Sequence, residues 1–281
     1  MITIAALTIG EAARRRVLWV LVALAIVAVA LTTWGVASLI DLGRGEGVDE
    51  IRLRLGVSQI LIFIAFMFGF VLVMTAAFFG SPAIAGDIES GVVQALLARP
   101  LRRSSYLIGR WLGLAIVIVG YAVLSGLLAI YAVAAVSGYS PPNIGLPVAY
   151  LAGQAIVLLS LTVLLSTRLP PIAGGAIAVV AYGLAWMAGV LGKIGLAIGT
   201  TGLVGVADAS RLLLPTDAMW QGVVYGLEPE FVIRAIGDSP AARGNPFFAD
   251  APPSPEIVAW TVGWTVVVLV LAVSQLRRRE L

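Results

Sequence analysis

The side chains that could do chemistry fall in two stretches of this sequence. The first is GSPAIAGDIESGVVQALLARPLRRSSYLIGR at residues 80–110, which carries Asp87 and Glu89 and then Arg99, Arg102, Arg103 and Arg110. Two carboxylates followed by a run of guanidiniums suit ion pairing, either with a protein surface or with lipid phosphates. The second stretch, residues 192–256, holds Asp208, Asp217, Glu228, Glu230, Asp238 and Asp250. Carboxylates can hold a hard cation or move a proton, but these six follow no metal-binding or acid–base spacing and read as a solvated face. The chain has no cysteine and no histidine. That excludes Cys/His zinc sites, haem held by His or Cys, iron–sulfur clusters, disulfides and Ser-His-Asp chemistry. No G-x-x-x-x-G-K-[ST] occurs, and LGKIGLAIGTTG at residues 191–202 has the wrong spacing for a phosphate loop. No cofactor or metal site is expected in this chain.

The elements that position these residues are set by hydrophobicity. Of the 281 residues, 60% are hydrophobic and 12% charged, against roughly 25% charged in an average soluble domain. The apolar residues form long runs at about 17–40, 57–79, 106–136, 148–167, 172–191 and 257–276. Each is near the ~20 residues that carry a helix across a ~30 Å hydrocarbon layer. None shows the ~10-residue alternation of barrel strands, and lipid obliges each span to satisfy its own backbone. The fold class is therefore all-α: a polytopic membrane protein with six transmembrane helices in a single domain, residues 1–281. The first run is longer than a signal-peptide core and reads as a retained span. Residues 2–13 before it (ITIAALTIGEAA) suit a short helix lying on the membrane surface.

Six spans put both termini on one side, and arginine placement selects the side. Arg14, Arg15, Arg16, Arg99, Arg102, Arg103, Arg110, Arg168, Arg277, Arg278 and Arg279 then face the cytoplasm, which divides the 18 basic residues 11 to 7. The chain is expected in the cytoplasmic membrane with both termini inside. The formal charge of +3 follows from this topology and does not point to nucleic acid.

Three outer loops remain. Residues 41–56 are charged, residues 137–147 are uncharged and rich in turn formers, and residues 192–256 are the only sizeable extramembrane segment. Within the last, about 203–236 shows a helical pattern of apolar residues that suits a re-entrant or interfacial helix, with a break at Pro215. Residues 237–256, rich in Pro, Asp and Gly, read as irregular chain. In the loop at 80–105, Ser81 and Pro82 suit a helix start. Asp87 and Glu89 then fall early in that helix, near its positive dipole end. Ile88, Val92, Ala95 and Leu96 form its apolar face, and Pro100 interrupts it. The expected element is an amphipathic helix, a break and a basic entry into the membrane.

Apart from Arg110, near the start of the third run, the six spans contain no Asp, Glu, Lys, Arg or His. Asp41 and Lys193 fall just past span ends. Carriers driven by ion gradients place ionisable groups at the membrane midplane; here only neutral groups such as Gln59, Thr75, Ser125, Gln154, Ser160 and Thr162 occur. These suit helix–helix hydrogen bonding or a weakly polar substrate path. A transporter built this way takes its energy from elsewhere. The loop at 80–105 suits either a lipid-facing helix or a lever docked on a cytoplasmic partner. Asp87 and Glu89 favour the partner, because anionic lipid would repel them.

The order Glu89, Gly91, Leu96, Leu97, Pro100, Arg103, Gly109 and Arg110 resembles the hallmark of type-2 ATP-binding-cassette (ABC) permeases. That pattern is roughly E-x-x-G, two leucines, P-x-x-R and a G-K before the next span. Here Glu89 and Gly91 stand one residue closer, and Arg110 replaces the usual lysine. The six spans, the N-terminal surface segment and the extended last outer loop resemble the same family. The stretch Leu212–Trp220 (LLLPTDAMW) is similar to one in the subgroup that includes the nitrous-oxide-reductase maturation exporter. The resemblance implies a permease subunit that pairs with a second copy or a homologue. Beneath them sits a cytoplasmic ATPase dimer, which binds the ATP and Mg and is not an activity of this chain. It also implies that Asp87, Glu89, Ser90 and Gly91 lie at the ATPase contact, and Arg99, Pro100, Arg102 and Arg103 at the membrane edge or the ATPase surface. Two other roles compete. One is a membrane anchor whose outer loop, 192–256, recruits an extracytoplasmic partner. The other is a membrane-embedded enzyme using the outer carboxylates.

Overall fold

The computed structural model describes residues 1–91, 102–236 and 239–279. Among these residues it forms twelve helices and no strand. The chain opens with α1 (Ile2–Arg14), turns at an extended Arg15, and enters α2 (Arg16–Gly45). Then come α3 (Glu50–Gly80), the short α4 (Pro82–Glu89), α5 (Arg103–Ser137), α6 (Gly145–Ser166) and α7 (Pro171–Ile198). The region before the last span folds as α8 (Thr201–Leu213), α9 (Thr216–Leu227), α10 (Glu230–Ile236) and α11 (Pro240–Arg243), followed by α12 (Pro255–Arg278).

Six helices are long and apolar enough to cross a membrane: α2, α3 continuing into α4, α5, α6, α7 and α12. They extend beyond the apolar runs because charged and glycine-rich flanks continue the helix once the apolar segment has nucleated it. The 35 residues of α5 span about 52 Å, well beyond a ~30 Å apolar layer. Extension also relocates two charges. Asp41 lies within α2, and Lys193 lies within α7, where it is 8% exposed. The most apolar windows of α3, α5 and α6 are 50%, 56% and 61% buried, whereas those of α2, α7 and α12 are 22%, 28% and 17% buried. Three central helices thus form the core, and three outlying ones present apolar faces to lipid or to another subunit.

Pro215 separates α8 from α9, as its missing N–H and fixed φ predict. The α8 helix folds back along α7. The indoles of Trp260 and Trp264 on α12 donate to the carbonyls of Leu212 and Leu213 at its end, at 3.1 and 2.9 Å. Almost every residue of α9 is buried against α6 and α3, so it enters the bundle rather than lying on its surface. Residues 246–248, from the run expected to be irregular, reach in behind it. The Phe247 ring stands 5.4 Å from that of Phe66 and 6.0 Å from that of Trp220, and the Trp220 indole donates to the Pro246 carbonyl at 3.2 Å.

The chain termini meet at one end of the bundle. Ala5, Thr8 and Ala12 of α1 are buried against the first turns of α5. That contact is close because Gly113 carries no side chain: a Cβ there would stand 2.6 Å from the Thr8 Cβ. At the same end, the Arg103 guanidinium donates to the carbonyls of Leu276, Arg277 and Arg279, at 3.1, 3.2 and 2.6 Å.

Candidate functional site

The helix after the second span is shorter than its sequence suggests, and this changes the placement of its charges. Ser81 is not an N-cap. It is helical itself and donates to the Pro171 carbonyl at the start of α7, so α4 continues α3 with hardly a break. With α4 ending at Glu89, Asp87 and Glu89 lie in its last turn, not its first. A carboxylate at that end meets the negative pole of the helix dipole and needs a cation. Asp87 has one. Its Oδ2 accepts from Arg110 Nε at 2.9 Å, from the second nitrogen of the same guanidinium, and from the Tyr106 hydroxyl. The remaining Arg110 nitrogen donates to Glu11 of α1 at 2.5 Å, and Glu11 also receives Arg15 at 2.7 Å. Burial pushes the Glu11 carboxyl up, but the two guanidiniums outweigh it and hold it below the usual carboxylate range. Arg110 thus joins α1, α4 and α5 at one point. Its side chain and that of Asp87 are only 14% and 15% exposed.

The other expected site residues separate into two groups. Glu89 and Ser90 are exposed at the tip of α4, and Gly91 follows in the left-handed region at φ 73°. Arg102 is exposed, whereas Arg103 is committed to the carbonyls that end α12. Arg99, Pro100 and the leucines Leu96 and Leu97 lie outside the described residues. Sequence reasoning missed Glu11 and Tyr106. Glu11 is the lone carboxylate of the N-terminal helix and has Arg15 at i+4, which offered a signal. Nothing local marks Tyr106.

The carboxylates of the far end do not converge. Arg211 donates to Asp217 at 2.9 Å and to Asp208 at 3.2 Å. Glu230 pairs with Arg234 on its own helix, Asp250 is exposed, and Asp238 lies outside the described residues. Glu228 is 1% exposed and accepts from Gln59 at 3.4 and 3.5 Å; burial pushes its carboxyl up to about 7, with the Gln59 contact opposing. Among the described residues no group of three or more acidic side chains is placed to hold a metal ion.

Six helices long and apolar enough to cross a membrane, with a short N-terminal helix packed at their base, define a polytopic helical membrane protein. The family described as ABC-2 family transporter protein matches residues 2–281, and the chain belongs to that family. It is thus a membrane-spanning permease subunit that works with an ABC ATPase, a transport component rather than an enzyme. No curated protein matches the sequence.

Proposed function

We propose that this chain is one of two permease subunits of an ATP-driven exporter, and that the exposed tip of α4, from Glu89 to Gly91 with the segment leading to Arg102, receives the ATPase. ATP and Mg bind in that partner. The observation that carries this reading is the Arg110 clamp. An ion pair between α4 and two other helices, with Glu89 and Ser90 left outward, supports a lever that is fixed at its base and free at its tip. Asp87 and Arg103 act from behind the contact: Asp87 holds the lever to α1 and α5, and Arg103 joins α5 to the end of α12. The excess of arginines at this end supports a cytoplasmic location for both termini. The LLLPTDAMW stretch, similar to one in permeases that serve extracytoplasmic maturation, is the ground for kinship with that subgroup. The exposed parts of residues 192–256, outside the buried α9, are then the face open to an outer partner.

The absence of cysteine makes the test direct. S90C carries the only thiol, and a thiol-specific photo-cross-linker there is expected to capture the co-expressed ATPase. Capture of lipid alone, with the ATPase present at its normal ratio, overturns the placement.

A further inference from the structure

A cluster at the end opposite the termini is not used by ATPase coupling. A cleft of about 450 Å³ opens between the far end of α7, the helices α8 and α9, and residues 249–254. That is within the ~300–1,000 Å³ of small-molecule sites. Asp217 lies beside it, 3% exposed, held by Arg211 and pressed against Gly189 of α7. One helical turn beyond Gly189, the buried Lys193 lines the cleft. Among the described residues its ammonium makes one hydrogen bond, to the Phe248 carbonyl at 2.7 Å, and no ion-pair contact; Asp217 and Asp250 act on it only at longer range.

An ammonium offers three donors, and a buried cation facing one neutral oxygen is under-compensated. Lys193 therefore leaves two donors for an anionic oxygen. Gln221 also lines the cleft, but its Oε1 is shielded from it and its side chain is hydrogen-bonded to Asp217. Asp250 stands exposed at the rim. The cleft thus lacks an anion at Lys193 and a cation at Asp250. A simple anion satisfies only the first need and meets the field of Asp217 and Asp250. A divalent cation finds Asp208 and Asp217 already engaged by Arg211.

From this complementarity we propose that the cleft binds a small zwitterion of the free amino-acid class, its carboxylate on Lys193 and its ammonium on Asp250 at the rim. The site stands independently of the ATPase contact.

The test is calorimetric titration and thermal shift on the full chain in detergent. The probes are glycine, L-leucine and L-glutamine, compared with acetate, methylammonium and calcium. At least one amino acid is expected to bind saturably and raise the melting temperature, while acetate and methylammonium at equal concentration do not. D250N, at an exposed position, and K193Q are each expected to weaken that binding about tenfold or more. If K193Q fails to fold, D250N with the charge-reversing D250K carries the same comparison. Binding of none of the three amino acids overturns the proposal, as does acetate or calcium binding as well as they do, or binding that survives D250N and D250K unchanged.

Discussion

Two arginines organise the two ends of this molecule, and each grips two carboxylates. Arg211 reaches Asp208, three residues back, and Asp217, six residues on. Arg110 reaches Asp87, 23 residues back, and Glu11, 99 residues back. The chemistry is alike: each arginine shields one carboxylate from water, with side-chain exposures of 15% for Asp87 and 2% for Asp217. The reach is not alike. The local network fixes the turn around Pro215 and moves with it as one piece. The distant network ties α1, α4 and α5 together at one point. Ion pairing at the far end joins sequence neighbours; at the terminal end it joins separate helices, the arrangement that the proposed lever requires.

Substitutions can break or sharpen that contrast. The largest effect is expected at Arg110. R110M leaves Asp87 shielded and unpaired, a loss on the order of 3 kcal/mol, and it severs α4 from α1. Unfolding in mixed micelles is expected to show the loss of stability, and co-expressed ATPase turnover the loss of coupling, with R110K restoring part of both. At the far end, G189A drives a Cβ into the Asp217 carboxylate, an overpacking cost of about 1–3 kcal/mol. The expected result is a lower melting temperature with unchanged ATPase turnover per folded molecule. Lost turnover there at normal stability would erase the distinction between the two ends. W264F removes the indole donor to the Leu213 carbonyl, about 1 kcal/mol, with the same readout.

The smallest effect is the pH response of Glu228. Burial raises its folded value to about 7, above the ~4.3 of an unfolded glutamate. The fold therefore holds the proton more tightly than the unfolded chain. Its contribution is complete below the unfolded value and is lost as pH rises through the window up to about 7. Melting temperature is expected to fall between pH 5 and 7, and E228Q is expected to flatten that slope.

Much of this architecture was legible in the sequence because lipid makes span length and hydropathy nearly sufficient. The six apolar runs, the surface helix at residues 2–13, the helix after the second span and the break at Pro215 all appear as helices or breaks near their expected positions. Direction was harder. Read locally, Ser81 and Pro82 look like a cap and put Asp87 and Glu89 at the start of a helix that in the structure ends with them, because Ser81 bonds across to Pro171. The partners of Arg110 could not be read, since no spacing rule links a cation to carboxylates 23 and 99 residues away. Lys193 looked like a flank because hydropathy falls there, yet α7 continues and α8 covers it. The entry of Phe247 beside Phe66 and Trp220 comes from a run whose composition signals only irregular chain.

Coupling through α4 requires Glu89 and Ser90 to meet the ATPase while Arg110 holds the lever behind them. The most direct measurement is ATP turnover and co-purification of the partner ATPase with E89K. The expected result is a variant that inserts and melts like the wild type but retains less ATPase and loses permease-dependent turnover. An E89K that co-purifies the ATPase at the normal ratio with normal turnover would contradict it.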